Sequence, residues 1–245
     1  MRGKHRADRG LFNMTISIRP GITLGPGVTV KVPVYVPPPQ SLSWDGTDSI
    51  FVKVTGNTSD WNLSNPPSGP GYWTIEFWEK LDPTADFFNA VLCSAYPDGI
   101  DIYHNAGQIG IWNGAYVATE PTRGQWNHIA LVYGATGVKI YINGQDSTLY
   151  GNTYNVNKMA NGTANLIIGC RSPDGEATPF GQRFKGQIAN IKISNVARYS
   201  ATFTPTIVLT TDANTVLAVS GELVDLTGRH TITNNGVSVS TDFPS

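Results

Sequence analysis

Apolar residues recur at every second position along most of this chain, and that spacing predicts strands nearly everywhere. The first block runs from Met14 to Pro37 and divides into six-residue units, MTISIR, PGITLG, PGVTVK and VPVYVP. Each unit sets two aliphatic residues two apart: Ile16 and Ile18, Ile22 and Leu24, Val28 and Val30, Val34 and Val36. This is the period of an extended chain with one apolar face. Pro20-Gly21 and Pro26-Gly27 interrupt it, because proline removes a ladder donor and glycine permits a bend. A few isolated short strands are not stable in water. The strip therefore predicts an N-terminal assembly arm, residues 1–40, whose apolar face a neighbour must cover. Pro37-Pro38-Pro39 reads as a stiff polyproline spacer that closes the arm.

Residues 41–245 read as one domain of short strands. SLSW and Ser49–Val54 predict a first hairpin around Asp45-Gly46, and a long polar loop follows over Gly56–Gly71. In Tyr72–Lys80 the alternation sends Trp73, Ile75, Phe77 and Glu79 inward and Tyr72, Thr74, Glu76, Trp78 and Lys80 outward. Phe87–Ala95 is nearly all apolar, as a central strand is. Ile100–His104 and Gln108–Trp112 predict a hairpin across Asn105-Ala106-Gly107. Gln125–Tyr133 pairs with Val138–Ile142, and Asn143-Gly144 carries the signature of a type I′ turn. Leu166–Gly169, Phe184–Ile193, Val216–Val219, Leu223–Asp225, His230–Thr233 and Val237–Val239 add further strands, and Asn195–Ser200 predicts one helical turn. No segment longer than about 12 residues keeps a 3.6-residue period. The fold class is all-β, a β-sandwich or jelly roll preceded by an extended arm.

Charge and cysteine content narrow the function classes. The 18 acidic and 17 basic residues leave a net charge of −1, which offers no basic surface for nucleic acid. No apolar run approaches the ~18 residues that span a bilayer, so no membrane partner is expected. The basic start MRGKHRADRG lacks the apolar core of a secretory signal. It reads as a disordered tail or a small basic arm, with Met14 as an alternative start. Cys93 and Cys170 lie in the apolar runs VLCSAY and LIIGC, either as two buried thiols or as one disulfide between adjacent strands. Two cysteines make neither a disulfide framework nor a metal motif.

GQWNHIALVYGATGVKIYINGQ (Gly124–Gln145) resembles the central hairpin of laminin G-like, concanavalin A-like lectin domains, with their Trp-x-His strand, glycine turn and Tyr-Ile-Asn-Gly ending. YWTIEFWEK is similar to the strand those domains carry before it, and FKGQIANIKISNVARYSATFTP (Phe184–Pro205) to their penultimate strand. The ending ARYSATFTP, with NTVLAVSGELVDLTGRHTITNNG after it, resembles the versions in bacteriophage structural proteins. The opening of ISI and PGITLGPGVTV units is similar to virion proteins of cyanobacterial phages. The likeness covers nearly the whole chain. It implies a concanavalin A-like (laminin G-like) jelly-roll β-sandwich over residues 41–245 and a place in a virion.

Chemistry is sparse. Glycosidases of this fold carry two or three carboxylates alternating on one strand, acid and nucleophile ~5 Å apart across one bond. Here the close glutamates are Glu76 and Glu79, whose odd spacing points them to opposite faces. No nucleophile elbow, phosphate loop or His-Glu-x-x-His occurs, and His128 reads as a structural histidine bonded to a neighbouring loop. No enzyme activity and no obligatory cofactor are expected. Laminin G-like domains often bind Ca²⁺ at the sandwich rim, through Asp and carbonyl oxygens. The candidates are Asp98 and Asp101 in PDGID, and Asp174 with Glu176 in SPDGEA, all near turn glycines where Asp also serves the backbone. Sugar rings stack on exposed aromatics with amides nearby; Trp61, Trp112, Tyr116, Tyr150 and Tyr154 are the candidates, and Trp61 and Trp112 read equally as plugs of the sandwich ends.

These readings combine into an expected function. The arm is an assembly element, burying ~1,000 Å² or more against other virion proteins, a major capsid protein or a tail component. The head is a capsid decoration or cement protein displaying a lectin-like domain, in a homo-oligomer for which a trimer is the candidate. The alternative is a tail-fibre or capsid adhesin that binds host surface glycans; a secreted lectin is a third reading, and it leaves the basic start unexplained.

Overall fold

In the computed structural model, every paired strand runs antiparallel to its neighbours, and two eight-stranded sheets result. Residues 39–245 are described apart from 48–49, 62, 64–70, 95–98, 113–115, 118–119, 151–163, 173–174 and 176–181. The chain divides into Met1–Pro37 and Pro38–Ser245. The arm positions Ile16, Ile18, Ile22, Leu24, Val28, Val30, Val34 and Val36 lie outside the described residues.

Sheet I holds β1 (Ser41–Asp45), β3 (Trp73–Leu81), β8 (Asn127–Gly134), β9 (Gly137–Ile142), β10 (Gln145–Asp146), β13 (Lys185–Ser194), β14 (Thr215–Val219) and β16 (Ser238–Ser240). Its order is β10-β9-β8-β3-β13-β1-β16, with β14 also against β13. Sheet II holds β2 (Phe51–Gly56), β4 (Phe88–Cys93), β5 (Asp101–Asn105), β6 (Gln108–Ile111), β7 (Tyr116–Val117), β11 (Thr148–Tyr150), β12 (Leu166–Ile168) and β15 (His230–Asn235). Its order is β11-β7-β6-β5-β4-β12-β2-β15.

Alternation builds the core. Trp73, Ile75 and Phe77 of β3, Ile129 and Leu131 of β8, and Ile188 and Ile193 of β13 face Val52 and Val54 of β2, Ile102 of β5, and Leu166 and Ile168 of β12 in one buried cluster. Side chains two apart on facing sheets interdigitate this way in any sandwich. The concanavalin A-like sandwich expected from the sequence is what the chain forms.

The structure departs from the sequence-based strands in four places. β1 and β2 are not a hairpin. β1 pairs with β13 and β16, whereas β2 pairs with β12 and β15 in the other sheet. Asp45-Gly46 does turn the chain, with Gly46 at φ 82°, but the turn passes it between sheets. Leu223–Asp225 is a turn, Asp225 making only an isolated bridge to Val219. Asn195–Ser200 is not helical. It begins a strap, 195–214, that lies on the outer face of sheet I. Finally, the outward set of β3 is itself covered, Thr74 and Glu76 being buried under that strap.

Side chains fasten the strap. Thr74 Oγ1 donates to the Val196 carbonyl at 2.8 Å, Trp78 Nε1 to that of Thr206 at 3.2 Å, and Asn190 Nδ2 to that of Ile207 at 2.6 Å. Tyr199 and Phe203 stack at 3.6 Å and pack on Ala130, Val132 and Tyr141. β8 is therefore covered on both faces. Asn143 (φ 51°) and Gly144 (φ 78°) form the expected turn between β9 and β10, and the turn also seats the strap, since Phe203 N–H donates to the Gly144 carbonyl at 3.1 Å. A Cβ at Gly144 would stand 1.8 Å from the Phe203 carbonyl oxygen. Gly144→Ala is expected to cost about 2–3 kcal/mol. An unchanged denaturant midpoint would reject this account of the turn.

The cysteines form no disulfide, and both are buried. Cys93 Sγ donates to the Ser172 carbonyl at 3.2 Å. Burial pushes the Cys170 thiol up to about 12.

Candidate functional site

Sheet II carries a row of aromatic rings on its outer face. Phe88 pairs with Asn105, and Tyr103 with Ala90 and Gly110, so these side chains share one face of β4, β5 and β6. Phe87 and Phe88 lie 5.7 Å apart between ring centroids, Phe88 and Tyr103 are stacked at 5.8 Å, and Tyr103 and Trp112 are 6.0 Å apart. The ends of the row are open: Phe87 is 64% exposed and Trp112 half-buried, while Tyr103 is fully buried. Over its middle lies Arg171, whose guanidinium carbon is 5.1 Å from the Tyr103 ring and 4.9 Å from that of Trp112. Arg171 Nε donates to Asp101 Oδ2 at 3.0 Å, Nη2 to the same oxygen, and Nη1 to Gln182 Oε1 at 2.7 Å. The guanidinium is thus held over two rings at cation–π distance.

This row takes up one of the five predicted sugar-binding aromatics, Trp112. Of the others, Tyr116 lies on β7 and Tyr150 on β11, strands that pair with each other at Tyr150↔Tyr116. Trp61 ends a short 3-10 turn, Thr58–Trp61. Tyr154 lies outside the described residues. Phe87, Phe88 and Arg171 were not singled out from the sequence; the signal available was two adjacent rings at the mouth of a strand, Phe88 opening β4 and Phe87 just before it.

Among the metal candidates, Asp98, Asp174 and Glu176 lie outside the described residues. Asp101 is fully buried, and its carboxylate faces Arg171 rather than a rim. Burial pushes its carboxyl up to about 6, and the Arg171 charge opposes that rise. Among the described residues no three His, Cys, Asp or Glu side chains are grouped to hold a metal ion.

The acidic and imidazole groups are engaged with one another. Glu76 points outward under the strap, where it accepts from Tyr199 Oη at 2.7 Å and lies 3.4 Å from His128 Nε2. Burial raises its carboxyl, but those bonds overcome burial and leave it below the usual range. His128 is buried against Trp78 and Phe203, in keeping with a structural role. Glu79 points inward, its Oε2 2.9 Å from His104 Nε2 on the other sheet. His104 Nδ1 lies 3.2 Å from Glu120 Oε1, and Glu120 is held by Arg123 Nε at 2.6 Å. Burial alone would depress the His104 imidazolium, but the two carboxylates hold it at about 9. For Glu120 burial is likewise overcome, by His104 and Arg123, which hold it at about 2. His230 forms a second bridge of this kind, with Nε2 3.1 Å from Asp60 Oδ2 and Nδ1 2.9 Å from Asp225 Oδ2.

The family model for the concanavalin A-like lectin/glucanases superfamily matches residues 55–202. Among solved structures, a candidate carbohydrate binding protein from Bacteroides ovatus ATCC 8483 superposes with a TM-score of 0.61 at 14% identity, covering 84% of this chain and 60% of that one. The chain thus spans 60% of that protein's length. A heptameric SAP-like pentraxin from Limulus polyphemus (TM-score 0.44, 13% identity, 82% and 94% covered) and domains LG4-5 of the mouse laminin alpha1 chain (0.44, 13%, 70% and 48%) are more distant. At 14% identity the first likeness speaks for the fold alone. A comparison with curated proteins finds no match.

Proposed function

Since the chain belongs to the concanavalin A-like lectin/glucanases superfamily, we propose that it is a non-catalytic member that binds glycans along the aromatic row of sheet II. The observation that carries this reading is the row itself. The exposed ring of Phe87 and the half-buried ring of Trp112 flank a rigid Arg171–Tyr103 centre. Aromatic faces fixed in place are what a pyranose stacks on at little entropic cost. The placement of Glu76 and Glu79 supports the non-catalytic part. They lie on opposite faces of one sheet, and both are buried, so they cannot flank one glycosidic bond. A glycan array followed by calorimetry with the best saccharide tests the reading. Phe87→Ala and Trp112→Ala are each expected to weaken binding about tenfold, and undiminished binding by the double variant would reject the row as the site.

In the same proposal the head is carried by the arm. Its four alternating units, with Pro37-Pro38-Pro39 behind them, suit an element that docks on a larger assembly, and the resemblance to phage virion proteins makes that assembly a capsid, with a tail fibre as the alternative. A chain lacking residues 1–36 is expected to fold and to stop attaching to particles; attachment by the truncated chain would reject the arm.

A further inference from the structure

A second recess lies on the opposite side of the sandwich, on the outer face of sheet I beyond the reach of the strap. Register builds its floor. Ser43 of β1 pairs with Gln187 of β13, and Gln187 with Lys80 of β3, so three polar side chains form a row across three adjacent strands. Asp242 stands over the row. Its Oδ2 accepts from Lys80 Nζ at 2.6 Å and its Oδ1 from Trp126 Nε1 at 2.9 Å. Gly124 and Gly186 line the same cleft, and its volume is about 230 Å³. Gln187 gives Nε2–H to Ser240 Oγ at 3.0 Å, and its buried Oε1 has no partner among the described residues.

We propose that this cleft is a second saccharide site, for a single neutral sugar ring. It rests on the reading of the protein as a glycan binder but uses a different sheet and different residues. The size is right for one ring, below the ~300–1,000 Å³ of sites for drug-sized ligands. The chemistry is that of hydroxyl recognition: a serine hydroxyl, an amide lacking a donor, an ammonium and a carboxylate, with a half-buried indole bonded to that carboxylate. Neutrality follows from charge. The Lys80 ammonium is already matched by Asp242, and the lining carboxylate of Asp82 has Lys185 Nζ 3.8 Å away. Among the described residues that line the cleft, an anionic sugar would find no unmatched cation, whereas hydroxyls can bond to both members of the Lys80–Asp242 pair.

The test uses the full chain and protein-observed NMR titrations with glucose, galactose, mannose and xylose, and with N-acetylneuraminate and inorganic phosphate as anionic probes. A neutral sugar is expected to shift resonances of Trp126 and Gln187 separately from those of Trp112. Ser43→Arg, which fills the cleft from a half-buried position, and Trp126→Ala should each weaken that response about tenfold and leave the Trp112 response intact. The combined Phe87→Ala and Trp112→Ala variant should retain it. Loss of all binding in that variant, or no effect of either cleft substitution, would overturn the second site while leaving the sheet II row standing. Tighter binding of the anionic probes would overturn its neutral specificity. Absence of any Trp112 response in the unsubstituted chain, with the Trp126 response present, would instead remove the proposed function at the row and leave the cleft.

Discussion

Glu79→Ala is expected to lower the unfolding free energy by about 3 kcal/mol, at the lower end of the cost of unpairing a buried charge, because one of its two partners is lost. The reason is the position of His104. Its side chain is fully buried, Glu79 meets it from sheet I, and Glu120 meets it from the chain after β7. Removing Glu79 leaves the buried imidazolium with Glu120 as its remaining carboxylate. Replacing both partners, Glu79→Leu with His104→Leu, should recover most of the loss, because a packed apolar pair of similar volume is often as stable as the ion pair it replaces. A single-variant loss below about 1 kcal/mol would show that the pair is not a charged one. The same cluster sets a pH window. His104 titrates at about 9 when folded against 6.5 for a free imidazole. Its contribution is therefore complete below pH 6.5 and disappears as the pH rises to 9. Glu120 is depressed from 4.5 to about 2, so its contribution is complete above pH 4.5 and disappears as the pH falls towards 2. Denaturant midpoints should decline on both sides of pH 4.5–6.5, and Glu79→Ala should flatten the alkaline side.

Asp225→Ala should cost about 4 kcal/mol, for a different reason. Asp225 organises the turn that leads into β15. Its Oδ1 accepts from the backbone N–H of Ala218 and Thr227 at 3.1 and 3.0 Å, and its Oδ2 from Thr227 Oγ1 at 2.6 Å, His230 N–H at 3.1 Å and Arg229 N–H at 3.2 Å. His230 Nδ1 adds a bond at 2.9 Å. The Asp225 carboxylate is buried although the turn around it is largely exposed, and a buried donor left unpaired, as Ala218 N–H would be, costs about 1–3 kcal/mol. Asp225→Asn, which keeps one acceptor oxygen, should lose about half as much. Equal midpoints for the wild type and Asp225→Ala would mean that water replaces the carboxylate at no cost, and the turn would not be held as described.

How much of this was legible in the sequence depends on how local each feature is. The hairpin of β8 and β9 and the Asn143-Gly144 turn could be read directly, because the period and the turn chemistry lie within twenty residues of each other. The inward set of β3 was legible for the same reason. β1 was misassigned because its partner β13 is far along the chain. Asp45-Gly46 carries a true turn signal, but nothing in it says which sheet receives the next strand. The strap 195–214 was missed because its fastenings are single side-chain bonds to carbonyls, which leave no period. The Glu79–His104 bridge left a faint trace: a glutamate in line with Trp73, Ile75 and Phe77 on an apolar face asks for a partner, although the sequence does not say where. Of the sugar-binding candidates, Trp112 was legible as a ring beside a turn. Arg171, which fixes it, comes from a different part of the chain.

The two native thiols are out of reach of solvent, and the Cys170 group hardly ionises at neutral pH. Ala106→Cys, at the exposed tip between β5 and β6, would then take up a maleimide dye alone, because the reagent attacks only the accessible thiolate. One fluorophore could be placed at the end of the aromatic row without first building a cysteine-free background.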